Sequence, residues 1–280
     1  MLCGTGAAAL PLRLPRLAIA SFALGGAASY FIMQSTAPPA DVGLTTGAES
    51  VATFAIEQYS TANLTGLDGS GLAYLLDSDA DVIAVQGLTP DWAAALSKEL
   101  GECFPAQYLF PDIGVTGLGL FSRTALGAVD SILIDEVVQV RACYTGPGAI
   151  GEVELFAVQT LPPLSRESSL GLEAQLNGLS AELERETRPT IVVGDLNAVP
   201  WSPAINRFTA QTGLLDSRRS QLPSYEAGMP GLFESPVEHI FYTERLRCVR
   251  FETLRTPSAA YLGNRASFQS APAAADVVAL

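Results

Sequence analysis

The sequence is short of the side chains that do chemistry near neutral pH. Across 280 residues it has one histidine, His239, and one lysine, Lys98. A mechanism built on two imidazoles, one as base and one as partner, is therefore closed to it. Positive charge is scarce as well: Lys+Arg is 16 against 29 Asp+Glu, a formal net charge of −13. Nucleic-acid affinity comes largely from cationic contacts that release counterions, and no basic run with interleaved aromatics is present, so nucleic acid is disfavoured as a partner. Cysteine numbers four, and no repeat or low-complexity tract is visible. What is abundant is apolar surface. Hydrophobic residues make up 48% of the chain, enough at this length for one large domain plus a short appendage.

The appendage is N-terminal. Leu17 to Met33, LAIASFALGGAASYFIM, is a 17-residue run without a charge, preceded by Arg13 and Arg16. That is the short end of a bilayer span, and the flanking arginines favour an N-in, C-out orientation. Gly26-Ala27-Ala28 offers small residues near a possible cut, so a cleaved signal segment is the rival reading. Both place the rest of the chain outside the cytoplasm, either on a single-pass membrane anchor or secreted. Residues 34–50, rich in Pro, Gly, Ser and Thr, read as a linker, leaving residues 51–280 as the domain. That exported part holds all 29 acids against 14 bases, and Cys103, Cys143 and Cys248. An oxidising compartment permits a disulfide, three cysteines leave one over, and buried free thiols are an equal alternative.

Within the domain, short apolar runs alternate with amphipathic segments. Val51–Ile56, Asp81–Gln86, Gly117–Phe121, Ser131–Asp135, Val153–Gln159, Thr190–Val193 and Glu238–Thr243 read as strands. Pro90–Leu100 reads as a helix capped by Thr89, Ser165–Arg185 as a longer one, and Ser202-Pro203 as the start of a third. This interleaving predicts an α/β fold, a layered α/β sandwich of two mixed sheets flanked by helices, preceded by the transmembrane helix.

Several segments, taken in order, resemble one family. Gly194-Asp195-Leu196-Asn197-Ala198-Val199-Pro200-Trp201-Ser202-Pro203 is similar to the Gly-Asp-x-Asn-x-x-Pro-x-Ser signature of the endonuclease/exonuclease/phosphatase (DNase I-like) superfamily. Asp81-Val82-Ile83-Ala84-Val85-Gln86-Gly87 resembles its Asp-Val-Ile-x-x-Gln-Glu motif, and Val237-Glu238-His239-Ile240 its Ile-Asp-His-Ile strand. The resemblance implies a two-sheet sandwich that hydrolyses phosphate esters with a divalent metal and two histidines. It also implies that the chemistry has eroded. Ala55 falls in the slot of a site-organising Asn, Gly87 in that of the metal-binding Glu, Gln159 in that of a His, and Glu238 in that of an Asp. The closing Ser-Asp-His motif best matches Ser267-Phe268-Gln269, putting Phe268 and Gln269 in the Asp and His slots. Asp195, Asn197 and His239 are the remnants.

The consequences follow from the residue types. Glutamine cannot accept a proton near neutrality, glycine offers no side-chain oxygen, and a lone Asp and Asn rarely hold Mg²⁺ without substrate phosphates. Bland roles compete for each remnant: turn hydrogen bonds for Asp195 and Asn197, a buried structural role for His239. The expectation is a membrane-tethered, catalytically degenerate module with no cofactor and an unknown protein or small-molecule partner. The alternative is a phosphodiesterase or phosphatase with a rebuilt site that uses Mg²⁺ or Mn²⁺.

Overall fold

Two six-stranded sheets packed face to face carry the fold in a computed structural model, which describes residues 52–64, 70–220, 237–258 and 260–271. In spatial order the first sheet is β11 (Leu246–Arg255), β12 (Tyr261–Ser270), β1 (Phe54–Ser60), β2 (Val82–Gln86), β4 (Leu118–Ser122) and β3 (Ala106–Phe110). The second is β5 (Gly127–Ile134), β6 (Val137–Gly146), β7 (Gly151–Gln159), β8 (Thr190–Asp195), β10 (Glu238–Tyr242) and β9 (Leu215–Asp216). Each sheet is antiparallel except for one central parallel pair, β1–β2 in the first and β7–β8 in the second. A parallel pair needs a crossover connection. Helix α1 (Ser70–Leu76) lies in the first crossover and α3 (Arg166–Leu183) in the second, while α2 (Pro90–Leu100) follows β2 and α4 (Pro203–Thr212) follows β8.

Side-chain alternation along the strands builds the layers. On the inner faces Phe54, Ile56, Val82, Ala84, Leu155, Ala157, Ile191, Val193, Ile240, Ala266 and Phe268 form one core between the sheets. Outward residues of the first sheet, among them Tyr59, Ile83 and Val85, pack under α1 and α2 through Leu75, Leu96 and Leu100. Phe156, Val192 and Phe241 of the second sheet do the same under α3 and α4 through Leu172, Leu176 and Phe208. Strands buried on both sides read as continuous apolar runs, which is why Val82–Val85 and Ile191–Val193 are so uniformly hydrophobic.

The helix starts follow local chemistry. Thr89 Oγ1 accepts the Trp92 N–H at 3.4 Å ahead of Pro90, and Ser202 Oγ accepts the Ile205 N–H at 3.2 Å ahead of Pro203. Ser165 and Ser168 close a capping box on α3. Cys103, Cys143 and Cys248 are all free thiols. The apolar run Leu17–Met33 lies outside the described residues, and among the described residues no helix is long and apolar enough to cross a membrane.

Candidate functional site

The two parallel pairs end together, and their last residues break the apolar pattern. Gln58 and Ser60 of β1, Gln86 of β2, Gln159 of β7 and Asp195 of β8 share the inner faces with the core residues before them. Glu238 opens β10 directly opposite Asp195. Hydrogen bonds join the two sheets here: Asn63 Nδ2, just past β1, donates to Glu238 Oε1 at 3.2 Å. Gln58 Nε2 donates to Gln86 Oε1 at 2.8 Å and receives a 3.5 Å contact from Asn264 Nδ2 on its own Oε1. Asn264 Nδ2 also donates to the Tyr261 hydroxyl at 2.8 Å, and that hydroxyl bonds Glu238.

Asp195 is the centre of this polar end of the inter-sheet layer. Its Oδ1 accepts the Asn197 N–H at 2.9 Å and its Oδ2 accepts Gln159 Nε2 at 3.4 Å. Asn197, in the left-handed region at φ +48°, donates from Nδ2 to the Thr160 carbonyl at 2.7 Å and so locks the loop after β8 to the loop after β7. Burial pushes the Asp195 carboxyl up to about 6; the Asn197 N–H opposes the shift and the charge of Glu238 adds to it. Burial, with Glu238 alongside, also raises Tyr261 above the ordinary phenol range.

Strand register corrects several expected positions. Ala55 pairs with Ser267 at the start of β1, where its N–H bonds Asp81 Oδ2 at 2.8 Å. The position beside Gly87 is at the other end of the strand, since Ser60 pairs with Gln86 and Thr61 Oγ1 donates to the Gly87 carbonyl at 2.5 Å. Ala55 therefore lies at the end of β1 away from Gly87, and Ser60 at the near end. Phe268 and Gln269 are displaced likewise: Phe268 pairs with Phe54 and packs against Phe54 and Tyr242 in the inter-sheet core. The end of β12 near Gln86 and Asp195 is its first residues, Gly263 pairing with Tyr59.

His239 is adjacent in sequence but faces the opposite way, as period-2 alternation requires. It pairs with Gly194, stacks on Phe241 with 4.8 Å between ring centroids, and lies on the helix-covered side of the second sheet. Nε2 donates to the Ala198 carbonyl, which can only accept, at 2.7 Å, while Nδ1 lies 3.3 Å from Arg218 Nη1 and 3.7 Å from Asp216 Oδ2. Burial pushes the neighbouring Asp216 carboxyl up, but His239 and Arg218 together hold it below the usual range. This is a structural cluster that pins the 198–201 loop from behind.

Gly87 is left-handed, at φ +67°, with Thr61 Oγ1 3.0 Å from where a Cβ would stand. Glycine suits that backbone, and a glutamate there would be strained. Among the described residues no three of His, Cys, Asp and Glu come together in a way that could hold a metal ion. The pair Asp195 and Glu238, with no third such ligand beside it among the described residues, does not fit a resident divalent cation by itself.

The sequence model of the Endonuclease/Exonuclease/phosphatase family matches residues 68–267. The chain belongs to that family. Solved structures agree on the fold. An endonuclease/exonuclease/phosphatase from Beutenbergia cavernae superposes with a TM-score of 0.61 at 17% identity, over 79% of this chain and 72% of that one. D. rerio TDP2 complexed with single strand DNA product gives 0.60 at 15%, over 79% and 100%. Sphingomyelinase C from Streptomyces griseocarneus gives 0.54 at 11%, over 78% and 99%. No curated protein sequence matches the chain.

Sequence reasoning found Asp195, Asn197, Gln159, Glu238 and Gly87 at this end of the cleft, and missed Gln58, Ser60, Asn63, Gln86, Tyr261 and Asn264. The missed signal was a polar residue at the C-terminal end of an otherwise apolar strand.

Proposed function

We propose that the chain is a membrane-tethered, exported domain of this family that binds a ligand or partner without hydrolysing it. The observation that carries the reading is the donor set at the cleft. Gln159 and Gly87 stand in the slots of a histidine and the metal-binding glutamate, amides (Gln58, Gln86, Asn264) lie beside them, and His239 points away. The nearby guanidinium of Arg218 is engaged by the Glu238 carbonyl and the His239 ring, and removing even one stabilising group from such a site costs about 10²–10³ in rate. The apolar run Leu17–Met33, with Arg13 and Arg16 before it, supports the tether.

The second reading, a phosphoesterase with a rebuilt site, has one observation in its favour. A carboxyl titrating at about 6, as Asp195 does, is in the range of a general base. The test is hydrolysis of bis-p-nitrophenyl phosphate and p-nitrophenyl phosphate by the purified full chain, with Mg²⁺ or Mn²⁺ added. The expected result is background. A metal-dependent rate abolished by Asp195→Ala would overturn the non-catalytic reading.

A further inference from the structure

Asp195 and Glu238 are a directly opposed like-charge pair on neighbouring antiparallel strands, an arrangement that destabilises a bare sheet. Neither forms an ion pair among the described residues; their partners are neutral: the Asn197 N–H, Gln159, Asn63 and Tyr261. Beside them Gln159, only 3% exposed, donates to Asp195 but leaves its own Oε1 without a hydrogen-bond partner. A buried acceptor left unmade costs roughly 1–3 kcal/mol, so its place next to two carboxylates points to a missing donor. Two directly opposed carboxylates beside an unpaired buried acceptor suit a group that brings both positive charge and N–H bonds.

The surroundings specify more. The turn between β3 and β4 and the segment leaving β7 lie at this same end, because Gln86 pairs with Leu118 and Gln159 with Asp195. They present Ile113 at 90% exposure, Val115 at 56% and Leu164 at 88%. Exposed aliphatic side chains on two segments at one end of the molecule offer a surface for a hydrocarbon stem.

We propose that this cleft binds a primary alkylammonium, its head between Asp195, Glu238 and Gln159 and its stem along the apolar rim. This rests on the binding reading of the same site and names the ligand chemistry. An ammonium has three donors, matching the two carboxylates and the orphaned amide oxygen, and it relieves the opposed charges.

The test is calorimetric titration of the full chain in non-ionic detergent with methyl-, butyl- and hexylammonium, tetramethylammonium, Mg²⁺ and inorganic phosphate. Butylammonium should bind, tetramethylammonium, which has no N–H, should not, and hexylammonium should bind at least tenfold tighter than methylammonium. Asp195→Asn and Glu238→Gln should each weaken butylammonium at least tenfold while circular dichroism and melting show a folded chain. Ile113→Ser with Leu164→Ser should remove the hexyl advantage and leave methylammonium unchanged. Binding indifferent to both acids, equal affinity for methyl- and hexylammonium, or selection of Mg²⁺ or phosphate over the amines would overturn the proposal. Nα-acetyl-lysine methylamide separates the sources of the amine: binding tighter than butylammonium assigns the ammonium to a peptide side chain, and weaker binding assigns it to a free amine. Background hydrolysis together with no amine binding defeats this inference alone, whereas metal-dependent hydrolysis that needs Asp195 defeats the non-catalytic reading beneath it.

Discussion

Asp195 carries a cost in the folded chain that its pKa makes measurable. Burial and Glu238 raise it to about 6, so the native state holds the proton more tightly than the unfolded chain does. Stability contributed by this group is therefore present at low pH and is lost as pH climbs from about 4 to about 6. Asp195→Asn keeps an oxygen for the Asn197 N–H and cannot ionise. Thermal melts should show it more stable than the parent by about 1–3 kcal/mol above pH 6, with the gain vanishing near pH 4; a variant less stable at every pH would show that the carboxylate is satisfied as it stands. Gly87 makes the complementary case. Restoring the family's glutamate by Gly87→Glu places a side chain at φ +67° against Thr61, so it should lower stability by about 1–3 kcal/mol and leave Mg²⁺ binding undetectable by calorimetry. His239→Ala removes a ring that stacks on Phe241 and bonds Ala198, and about 2–4 kcal/mol should go with it in chemical denaturation.

The central strands decide the architecture, and they were the part most readable from sequence. Asp81–Gln86 and Thr190–Val193 stand out because strands buried on both faces must be apolar throughout. Other elements hid for physical reasons. β11 spends Arg247, Arg250, Glu252 and Arg255 on an edge, where charge is tolerated and useful, so no apolar pattern marks it. β1 was expected to end at Ile56, yet it runs to Ser60, because Gln58 and Ser60 face a polar cleft rather than the core. β12 is polar at the same end through Asn264, while the motif-matched positions Ala55, Phe268 and Gln269 fall at the other ends of their strands. Asp195, Asn197 and Gly87 survived because their motifs are anchored on the two legible strands. Close strand pairing, parallel at Gly194 and antiparallel at Gly263, leaves no room for a side chain at two glycines. A Cβ on Gly194 would stand 1.9 Å from the Val158 carbonyl oxygen, and one on Gly263 1.9 Å from that of Gln58. Gly194→Ala and Gly263→Ala should each cost more than about 3 kcal/mol by forcing the strands apart, read as a lowered denaturation midpoint or loss of soluble protein. Gly213→Ala, with nothing within 4 Å but φ +70°, should cost only about 1 kcal/mol. Equal losses at all three would mean that backbone angle, not strand spacing, sets the penalty.

At the scale of the whole molecule, charge and hydrophobicity make opposite demands on attachment to a bilayer. With 29 acids against 16 bases, the chain is repelled by the anionic lipids of a membrane surface, so electrostatic adhesion is unfavourable. Its acids all follow residue 40, whereas Leu17–Met33 is uncharged and long enough for a short span. If the proposed tether holds the protein, its attachment is hydrophobic and indifferent to screening. Raising salt shortens the Debye length to about 3 Å at 1 M and would detach an electrostatically held domain, but it does not weaken an inserted segment. The full chain should therefore sediment with membranes, stay there in 1 M salt, and dissolve in non-ionic detergent. A chain starting near Asp41 should stay in the supernatant. The 17 linker residues from 34 to 50 reach at most about 3.3–3.6 Å each, enough to let the cleft turn towards or away from the lipid. Under the proposed N-in orientation, protease added from outside, after any outer envelope is opened, should digest the domain in intact cells and spare cytoplasmic markers. A full chain released by salt, or a domain shielded from that protease, would remove the tether and the exported location together.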